Sequence, residues 1–169
     1  MPTNIEFKVR TNQLKIQEEK LQSLQPIFIG LDHQIDTYFN TQKGRLKLRQ
    51  GNIENALIHY NRSNVANAKQ SDVLLYSTVE AETLKEILIQ SNGVKVVVDK
   101  LRKIYFIDNV KFHFDEVKEL GSFIEVEAID RDGSISIHQL KEQCNFYIRF
   151  FNINPSDFVE VSYSDLLLK

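Results

Sequence analysis

Alternation of apolar and polar side chains is the most frequent pattern along this chain, and it predicts a protein built mainly of β-strands. Residues 3–10 alternate Ile, Phe and Val with polar side chains, which is the two-residue period of a strand with one buried face. Similar segments predict seven more strands, at 33–40, 45–50, 56–62, 73–77, 94–108, 110–117 and 121–129. Short turns separate the last three, so an antiparallel meander is expected in the second half.

Three segments instead show the spacing of helices with one buried face. The first covers 13–25, with Asn12 as the expected N-cap and Pro26 as its end. The second runs from about 79 to 90 and is ended by Asn92 and Gly93. The third begins within 132–136 and carries an apolar stripe formed by Leu140, Cys144, Tyr147, Ile148 and Phe151. The tail, 155–169, predicts a further strand that turns into a short helix.

Charged residues recur at every second position on the predicted strands, and on some strands they all have the same sign. Arg45, Lys47 and Arg49 alternate with two leucines, so the three cations share one face of their strand. The same two-residue spacing recurs on other strands for Glu6 and Lys8, Lys100 and Arg102, and Glu125 and Glu127, with Arg62 and Asp115 on two more. Like charges on neighbouring strands repel one another, so this segregation requires a compensating partner.

Two arrangements of the sheet would accommodate these faces. The simpler is an open antiparallel sheet whose charged faces lie in water. The alternative is a sheet closed into a barrel, with the charged faces inside and the apolar faces covered by the three helices. Unpaired ions inside a barrel would cost many kcal/mol, so a ligand should balance them. Cations suit a polyphosphate and carboxylates suit Mg²⁺ or Mn²⁺, so the segregation favours a metal-bound triphosphate inside a barrel.

Composition limits the remaining options. The 21 basic and 23 acidic residues give a net charge of −2, which offers no general attraction to nucleic acid or to anionic membranes. A single cysteine cannot form an internal disulfide, and no apolar run is long enough for a membrane span. We therefore expect one domain over residues 1–169, located in the cytoplasm, without nucleic-acid or membrane partners. Oligomeric state is left open, with a homodimer as one option.

Several short motifs occur in a recognisable order. Asn4-Ile5-Glu6-Phe7-Lys8 stands where one family has Glu-x-Glu-x-Lys, and GRLKLR, DKLRKIY, FHFDEV and GSFIEVE follow it. With these motifs the chain resembles the CYTH proteins, also called triphosphate tunnel enzymes, over nearly its whole length. DTYF at 36–39, the strand end Tyr60-Asn61-Arg62 and the pair Ser71-Asp72 are most similar to the class IV adenylyl cyclase-like branch.

The resemblance implies a fold and a set of site residues. The fold would be α+β, an eight-stranded closed antiparallel β-barrel, the triphosphate tunnel, with helices packed outside. Phosphates would be held by Arg45, Lys47, Arg49, Arg62, Lys100 and Arg102. A Mg²⁺ or Mn²⁺ ion would be held by Glu6, Asp115, Glu125 and Glu127. Lys8, together with Glu6, would take part in catalysis. Strand alternation selects these same positions independently.

Three functions remain open at this point. The first is an adenylyl cyclase that converts ATP to cyclic AMP and pyrophosphate, and the second is a hydrolase of tripolyphosphate, thiamine triphosphate or a nucleoside triphosphate. The third is a catalytically weak binder of polyphosphate or nucleotide, because Asn4 offers one neutral oxygen where the family has a carboxylate. His113 shares a strand face with Asp115. A structural role is its simpler interpretation, and a partner of the metal ligands or a proton carrier is the alternative.

Overall fold

The computed structural model describes residues 2–62, with the backbone alone at Arg62, and residues 68–169. Its strands are β1 Thr3–Arg10, β2 Ile27–Phe39, β3 Arg45–Gln50, β4 Asn55–Arg62, β5 Lys69–Ser77, β6 Val94–Ile107, β7 Val110–Val117 and β8 Gly121–Asp130. Its α-helices are α1 Leu14–Leu21, α2 Glu82–Asn92, α3 Ile137–Phe150 and α4 Tyr163–Leu167. Short 3₁₀ turns occupy Gln22–Leu24 and Pro155–Asp157.

The eight strands close into a single antiparallel barrel in the order β1-β5-β4-β3-β2-β6-β7-β8, with β8 paired back to β1. This confirms the predicted closed barrel. Three strands separate β3 from β8 in either direction around the wall, so these two strands lie on opposite sides of the lumen. The strand with the three alternating cations therefore faces the strand that carries Glu125 and Glu127.

The apolar faces of the strands point outward, as predicted. Ile5 and Phe7 of β1 are fully buried in a cluster with Leu140, Cys144 and Tyr147 of α3. A second outer cluster joins Phe39 of β2 and other apolar side chains to α2. These contacts hold α2 and α3 against the barrel wall, while the intervening polar residues face the lumen.

The outer cover is less complete than expected. Large apolar side chains remain exposed on the outer surface, namely Phe28, Leu31, Leu74, Tyr76 and Leu101. Helices of 8, 11 and 14 residues are too short to cover eight strands. No helix in the described residues is both long and apolar enough to cross a membrane.

The first helix and the second strand differ from the sequence prediction. Gln13, rather than Asn12, is the N-cap of α1, and the helix proper ends at Leu21 before the 3₁₀ turn. Gln25 adopts a left-handed conformation with φ of 53°, since Pro26 disfavours a right-handed helical residue before it. β2 begins at Ile27 rather than at 33, because its first half is an apolar run without alternation.

The chain after α3 is the main departure from the expected architecture. The strand predicted in the tail is reduced to one bridge between Val9 and Phe158. The short helix α4 does form, but Tyr163 is buried among lumen side chains such as Tyr38 and Tyr60. The helix α4 therefore closes one end of the barrel instead of packing outside it. The loop expected at 61–69 falls largely on 63–67, outside the described residues, and β5 begins at Lys69.

Candidate functional site

A cavity of about 720 Å³ fills the barrel lumen. The strand register determines which side chains line this cavity. Charged residues that recur at every second position on one strand lie opposite those of the neighbouring strand. Glu6 and Lys8 of β1 lie directly opposite Glu127 and Glu125 of β8. Glu125 in turn lies opposite His113 of β7. The lumen therefore has an acidic wall formed by β1, β7 and β8.

The acidic wall brings an imidazole and two carboxylates together. His113 Nδ1 lies 3.8 Å from Glu125 Oε1 and 3.7 Å from Glu127 Oε1. Burial, Glu125 and Glu6 raise the pKa of Glu127 well above its usual value. Burial alone would also raise the pKa of Glu125, but Lys8 and other nearby cations bring it well below the usual value. The two neighbouring carboxyl groups thus have different proton affinities.

His113 is 1% exposed, and burial together with the positive charges of Arg102 and Lys111 lowers its pKa well below the usual value. A neutral imidazole can coordinate a metal ion through nitrogen. Ligand atoms of His113, Glu125 and Glu127 all lie within 4.8 Å of one another. These three residues fit a divalent cation, since the set offers carboxylate oxygens together with buried ring nitrogens that no described residue hydrogen-bonds.

Lys8 lies between the acidic wall and α4. Its Nζ is 3.5 Å from Glu125 Oε2 and 3.8 Å from the centre of the Tyr163 ring. The first contact is an ion pair and the second is a cation–π contact. A cation therefore lies beside the carboxylates that are expected to hold the metal.

The opposite wall is basic, and its cations converge on one carboxylate. Asp36 of β2 accepts two hydrogen bonds from Arg49, each 2.9 Å long. The same carboxylate accepts from Lys100 Nζ at 2.7 Å and from Lys47 Nζ at 3.2 Å. Burial would raise the pKa of Asp36, but these three cations hold it well below the usual value.

Lys100 of this wall has a lowered pKa. Burial lowers the pKa of its amine well below the usual value, and repulsion from Arg49 and Arg102 adds to this effect despite the nearby Asp36. Additional negative charge, such as that of a phosphate, would raise this pKa and stabilise the protonated amine.

Arg102 is held by a second buried carboxylate. Its Nε and Nη2 donate to the two oxygens of Asp115, each over 2.7 Å, and the Tyr163 hydroxyl donates to Asp115 Oδ2 over 2.7 Å. Both members of the pair are almost fully buried. Asp115, predicted as a metal ligand, thus lies behind Arg102 and outside the cluster of His113 and the two glutamates.

The lumen contains a third charged group near the turn between β3 and β4. Glu54 accepts from Arg49 Nη1 over 3.2 Å and also forms a short ion pair with Lys111. These cations overcome the effect of burial and lower the pKa of Glu54 to about 2. Asp32 supports the turn, since its oxygens accept hydrogen bonds from the backbone N–H groups of 52, 53 and 54.

A further part of the wall is uncharged. β4 and β5 contribute apolar side chains to the lumen, namely Ala56, Ile58, Val73 and Leu75. The hydroxyl groups of Tyr38 and Tyr60 lie 3.4 Å apart next to them, and both rings contact Lys47 at 5.4 and 5.5 Å. An apolar and aromatic surface thus adjoins the basic wall.

Most, but not all, of the sequence-predicted site residues meet in the lumen. The cavity is lined by Glu6, Lys8, Lys47, Arg49, Lys100, Arg102, Glu125 and Glu127. Arg45 instead donates to Asp165 of α4 over 2.6 Å, and so anchors the helix at the closed end. Arg62 ends β4, but its side chain lies outside what the structure describes. Asn4 lines the lumen and approaches Glu127 Oε2 at 3.5 Å.

Sequence reasoning missed several charged or aromatic residues that line the lumen or adjoin it, among them Asp36, Glu54, Lys111 and Tyr163. Asp36 lies two residues from Tyr38 on β2, and Lys111 lies two residues from His113 on β7, so each shares the inward face of its neighbour. Alternation alone could therefore have indicated both. Glu54 lies in a turn and Tyr163 follows a segment without periodicity. No strand pattern predicts the position of either of these two side chains.

Comparisons with known proteins identify a family and a shared fold. The CYTH domain family matches residues 2–147. The PH1012 protein of Pyrococcus horikoshii OT3 superimposes with a TM-score of 0.82 at 23% identity, covering 96% of this chain and 98% of that one. A candidate adenylate cyclase from Vibrio parahaemolyticus superimposes with a TM-score of 0.74 at 15% identity, covering 98% of each chain.

A third solved structure is that of HpAC1 from Hippeastrum, a candidate adenylyl cyclase described as having a dominant triphosphatase activity. It gives a TM-score of 0.62 at 13% identity and covers 99% of this chain and 94% of that one. At these identities the three likenesses show a common fold. No curated protein sequence matches the chain.

Proposed function

Because the chain belongs to the CYTH domain family, we propose that it is a metal-dependent enzyme that acts on ATP in the barrel lumen. The proposed reaction is cyclisation to cyclic AMP with release of pyrophosphate. The observation that carries the proposal is the opposition of two walls, with Lys47, Arg49 and Lys100 on one side and Glu125 and Glu127 on the other. A metal-complexed triphosphate has the charges that complement both walls.

The basic wall would bind the phosphates. Arg49 and Arg102 are each held in one orientation by two-point contacts to a carboxylate, so their remaining N–H groups are fixed in direction. Lys47 and Lys100 add two amines that can donate charge-assisted hydrogen bonds to phosphate oxygens. These groups would also stabilise the charge that develops on departing pyrophosphate.

The acidic wall would hold the divalent ion through Glu125 and Glu127, with Glu6 beside them on β1. An ion there supplies charge neutralisation at the phosphate oxygens. We assign Asp115 to the orientation of Arg102, because both of its oxygens accept hydrogen bonds from that guanidinium. Arg45 is assigned to anchoring α4 through Asp165, rather than to phosphate binding.

A nucleotide is favoured over bare tripolyphosphate by the uncharged wall. Ile58, Val73 and the two tyrosines provide apolar surface next to the phosphate-binding cations. Inorganic tripolyphosphate has nothing to place against such a surface, whereas a nucleoside does. The ribose 3′ oxygen would then attack the α-phosphorus, and the bond to the β-phosphate oxygen would break. Glu6 and Lys8 are the residues we assign to orienting that oxygen and to handling its proton.

Hydrolysis of a triphosphate is the second candidate. The observation in its favour is solvent access at the end of the barrel away from α4, where the side chains of Glu54 and Glu127 are 28% and 15% exposed. Water that reaches the acidic wall could replace the ribose hydroxyl as nucleophile.

The test is a product analysis. Purified protein is incubated with ATP or tripolyphosphate and either Mg²⁺ or Mn²⁺, and the products are separated. Cyclic AMP with equimolar pyrophosphate supports cyclisation, and orthophosphate supports hydrolysis. Tight binding without turnover would overturn both candidates in favour of a binding protein. Glu125→Gln is the inactive reference, and Glu116→Gln, on the exposed face of β7, is the matched control that should retain activity.

A further inference from the structure

His113 occupies a position that a structural histidine does not explain. It lies on β7 with 1% of its surface exposed, and its ring points into the lumen at the two glutamates of β8. Neither Nδ1 nor Nε2 has a hydrogen-bond partner among the residues that the structure describes. The distances to Glu125 Oε1 and Glu127 Oε1, 3.8 and 3.7 Å, are too long for hydrogen bonds.

A buried ring with two unpartnered nitrogens is costly. Unsatisfied buried polar groups are destabilising and are uncommon in folded proteins. The His113 ring is surrounded by charged groups, and a gap remains between its Nδ1 and the oxygens of Glu125 and Glu127. An ion that accepts the lone pair of Nδ1 would satisfy one of these two nitrogens.

The spacing suits a single ion shared by the ring and the two carboxylates. Two ligand atoms that each lie about 2.1 Å from one ion can be up to about 4.2 Å apart. The two separations between His113 Nδ1 and the carboxylate oxygens fall within this limit. The strand register holds the three side chains in this arrangement, because His113 lies directly opposite Glu125.

We propose that His113 is a nitrogen ligand of the ion held by Glu125 and Glu127, and that it makes the site favour Mn²⁺ over Mg²⁺. Mg²⁺ prefers an all-oxygen environment, whereas imidazole binds first-row transition ions more readily. The inference rests on the proposed metal-dependent function and deepens it, since it states which of the two expected ions the site prefers. It changes the interpretation of His113 from a structural residue to a ligand.

Pulsed electron paramagnetic resonance of bound Mn²⁺ tests the ligand directly. The full chain is prepared with natural-abundance or ¹⁵N-labelled histidine and loaded with Mn²⁺ without substrate. A directly coordinated imidazole gives a nitrogen modulation that changes with the isotope. We expect this modulation in the wild type and in His33→Gln, whose histidine is exposed and pairs with Asp99. It should disappear in His113→Gln.

Ion selectivity gives a second readout. We expect His113→Gln to lower the ratio of Mn²⁺ affinity to Mg²⁺ affinity at least tenfold, measured by calorimetric titration of each ion alone. Wild-type Mn²⁺ binding without nitrogen modulation would overturn the ligand role of His113, while dependence of that binding on Glu125 would leave the proposed function intact. Mn²⁺ binding that is unchanged in Glu125→Gln would contradict both. The wild-type isotope experiment decides the ligand role even where the variant does not fold.

Discussion

Lys100 Nζ lies 2.7 Å from Asp36 Oδ2, and both side chains are only 1% exposed. The carboxylate of Asp36 thus occupies the centre of the cation cluster that we propose binds phosphate. It keeps Lys47, Arg49 and Lys100 together in the absence of substrate, because mutual repulsion would otherwise separate them. An incoming phosphate must share or take over these contacts.

Replacing this internal carboxylate should make the barrel depend on an added anion. We expect Asp36→Asn to destabilise the substrate-free protein by roughly 3 kcal/mol, since the buried Arg49 and Lys100 and the partly buried Lys47 lose their common partner. The rise in melting temperature on addition of pyrophosphate should be larger in the variant than in the wild type. Thermal unfolding with and without pyrophosphate measures both effects.

Asp99→Asn is the matched control for this experiment. Asp99 pairs with His33 on the outside of the same β2–β6 ribbon, with 37% of its side chain exposed. Its substitution should change stability by less than about 1 kcal/mol and leave the pyrophosphate effect unaltered. Equal responses of the two variants would show that Asp36 does not organise an anion site.

The planar geometry of Arg102 should matter more than its charge. Arg102→Lys keeps the charge but cannot make the two-point contact to Asp115, so we expect binding of a non-hydrolysable ATP analogue to weaken about tenfold or more. Calorimetric titration measures the change. Arg149→Lys, on the exposed surface of α3, should bind as the wild type does. Unaltered affinity in Arg102→Lys would remove Arg102 from the phosphate site.

The carboxylates of β8 should be required for turnover rather than for folding. We expect Glu125→Gln and Glu127→Gln each to lower metal-dependent turnover at least a hundredfold, because a neutral amide is a poorer ligand for a hard cation. Circular dichroism should show that the barrel is retained. Turnover close to that of Glu116→Gln in either variant would argue against a metal site on this wall.

Position 4 offers a gain-of-function test. Asn4 lines the lumen near Glu127, so Asn4→Glu would restore the carboxylate of the family motif at that place. We expect Mn²⁺ to bind several-fold more tightly and to raise the melting temperature more than in the wild type, since a fourth carboxylate adds both charge and a ligand. An unchanged Mn²⁺ titration would show that this side chain does not reach the ion. Asn145→Glu on α3 controls for added charge.

Stability should depend on pH through Glu54. Its pKa of about 2 in the folded protein, against an ordinary 4.5, means that the folded state favours the ionised form, with Lys111 and Arg49 as partners. Its stabilising effect is therefore complete above pH 5 and is lost as the pH falls toward 2. The free energy of unfolding of the wild type should exceed that of Glu54→Gln by at most about 3 kcal/mol at pH 7. This difference should disappear near pH 2. Urea unfolding at several pH values measures it.

Glu86→Gln is the control for the pH series. Glu86 is exposed on α2 and contacts Gln90 of the same helix, so its substitution should have little effect at any pH. A wild-type advantage over Glu54→Gln that stays constant from pH 7 to pH 2.5 would contradict the ion pairing assigned to Glu54.

The barrel could be predicted from sequence because its strands alternate clearly. Period-two alternation in β1, β3 and β8 fixed which side chains share a face, and the segregation of charge by sign indicated that this face points inward. The closure by α4 could not be predicted, since Tyr163 reaches the lumen through tertiary packing after an irregular segment. The contact made by Asp115 was not predicted for a related reason. Alternation gives the face of a side chain but not its partner, and here that partner is Arg102.

The central claim is that a metal-bound triphosphate lies between the two charged walls, and a crystal structure with Mn²⁺ and a non-hydrolysable ATP analogue tests it most directly. We predict an anomalous manganese peak between Glu125 and Glu127, with the triphosphate against Arg49 and Lys100. A triphosphate bound on the outer surface, with Arg49 and Lys100 still paired to Asp36 and Arg102 still paired to Asp115, would contradict the account.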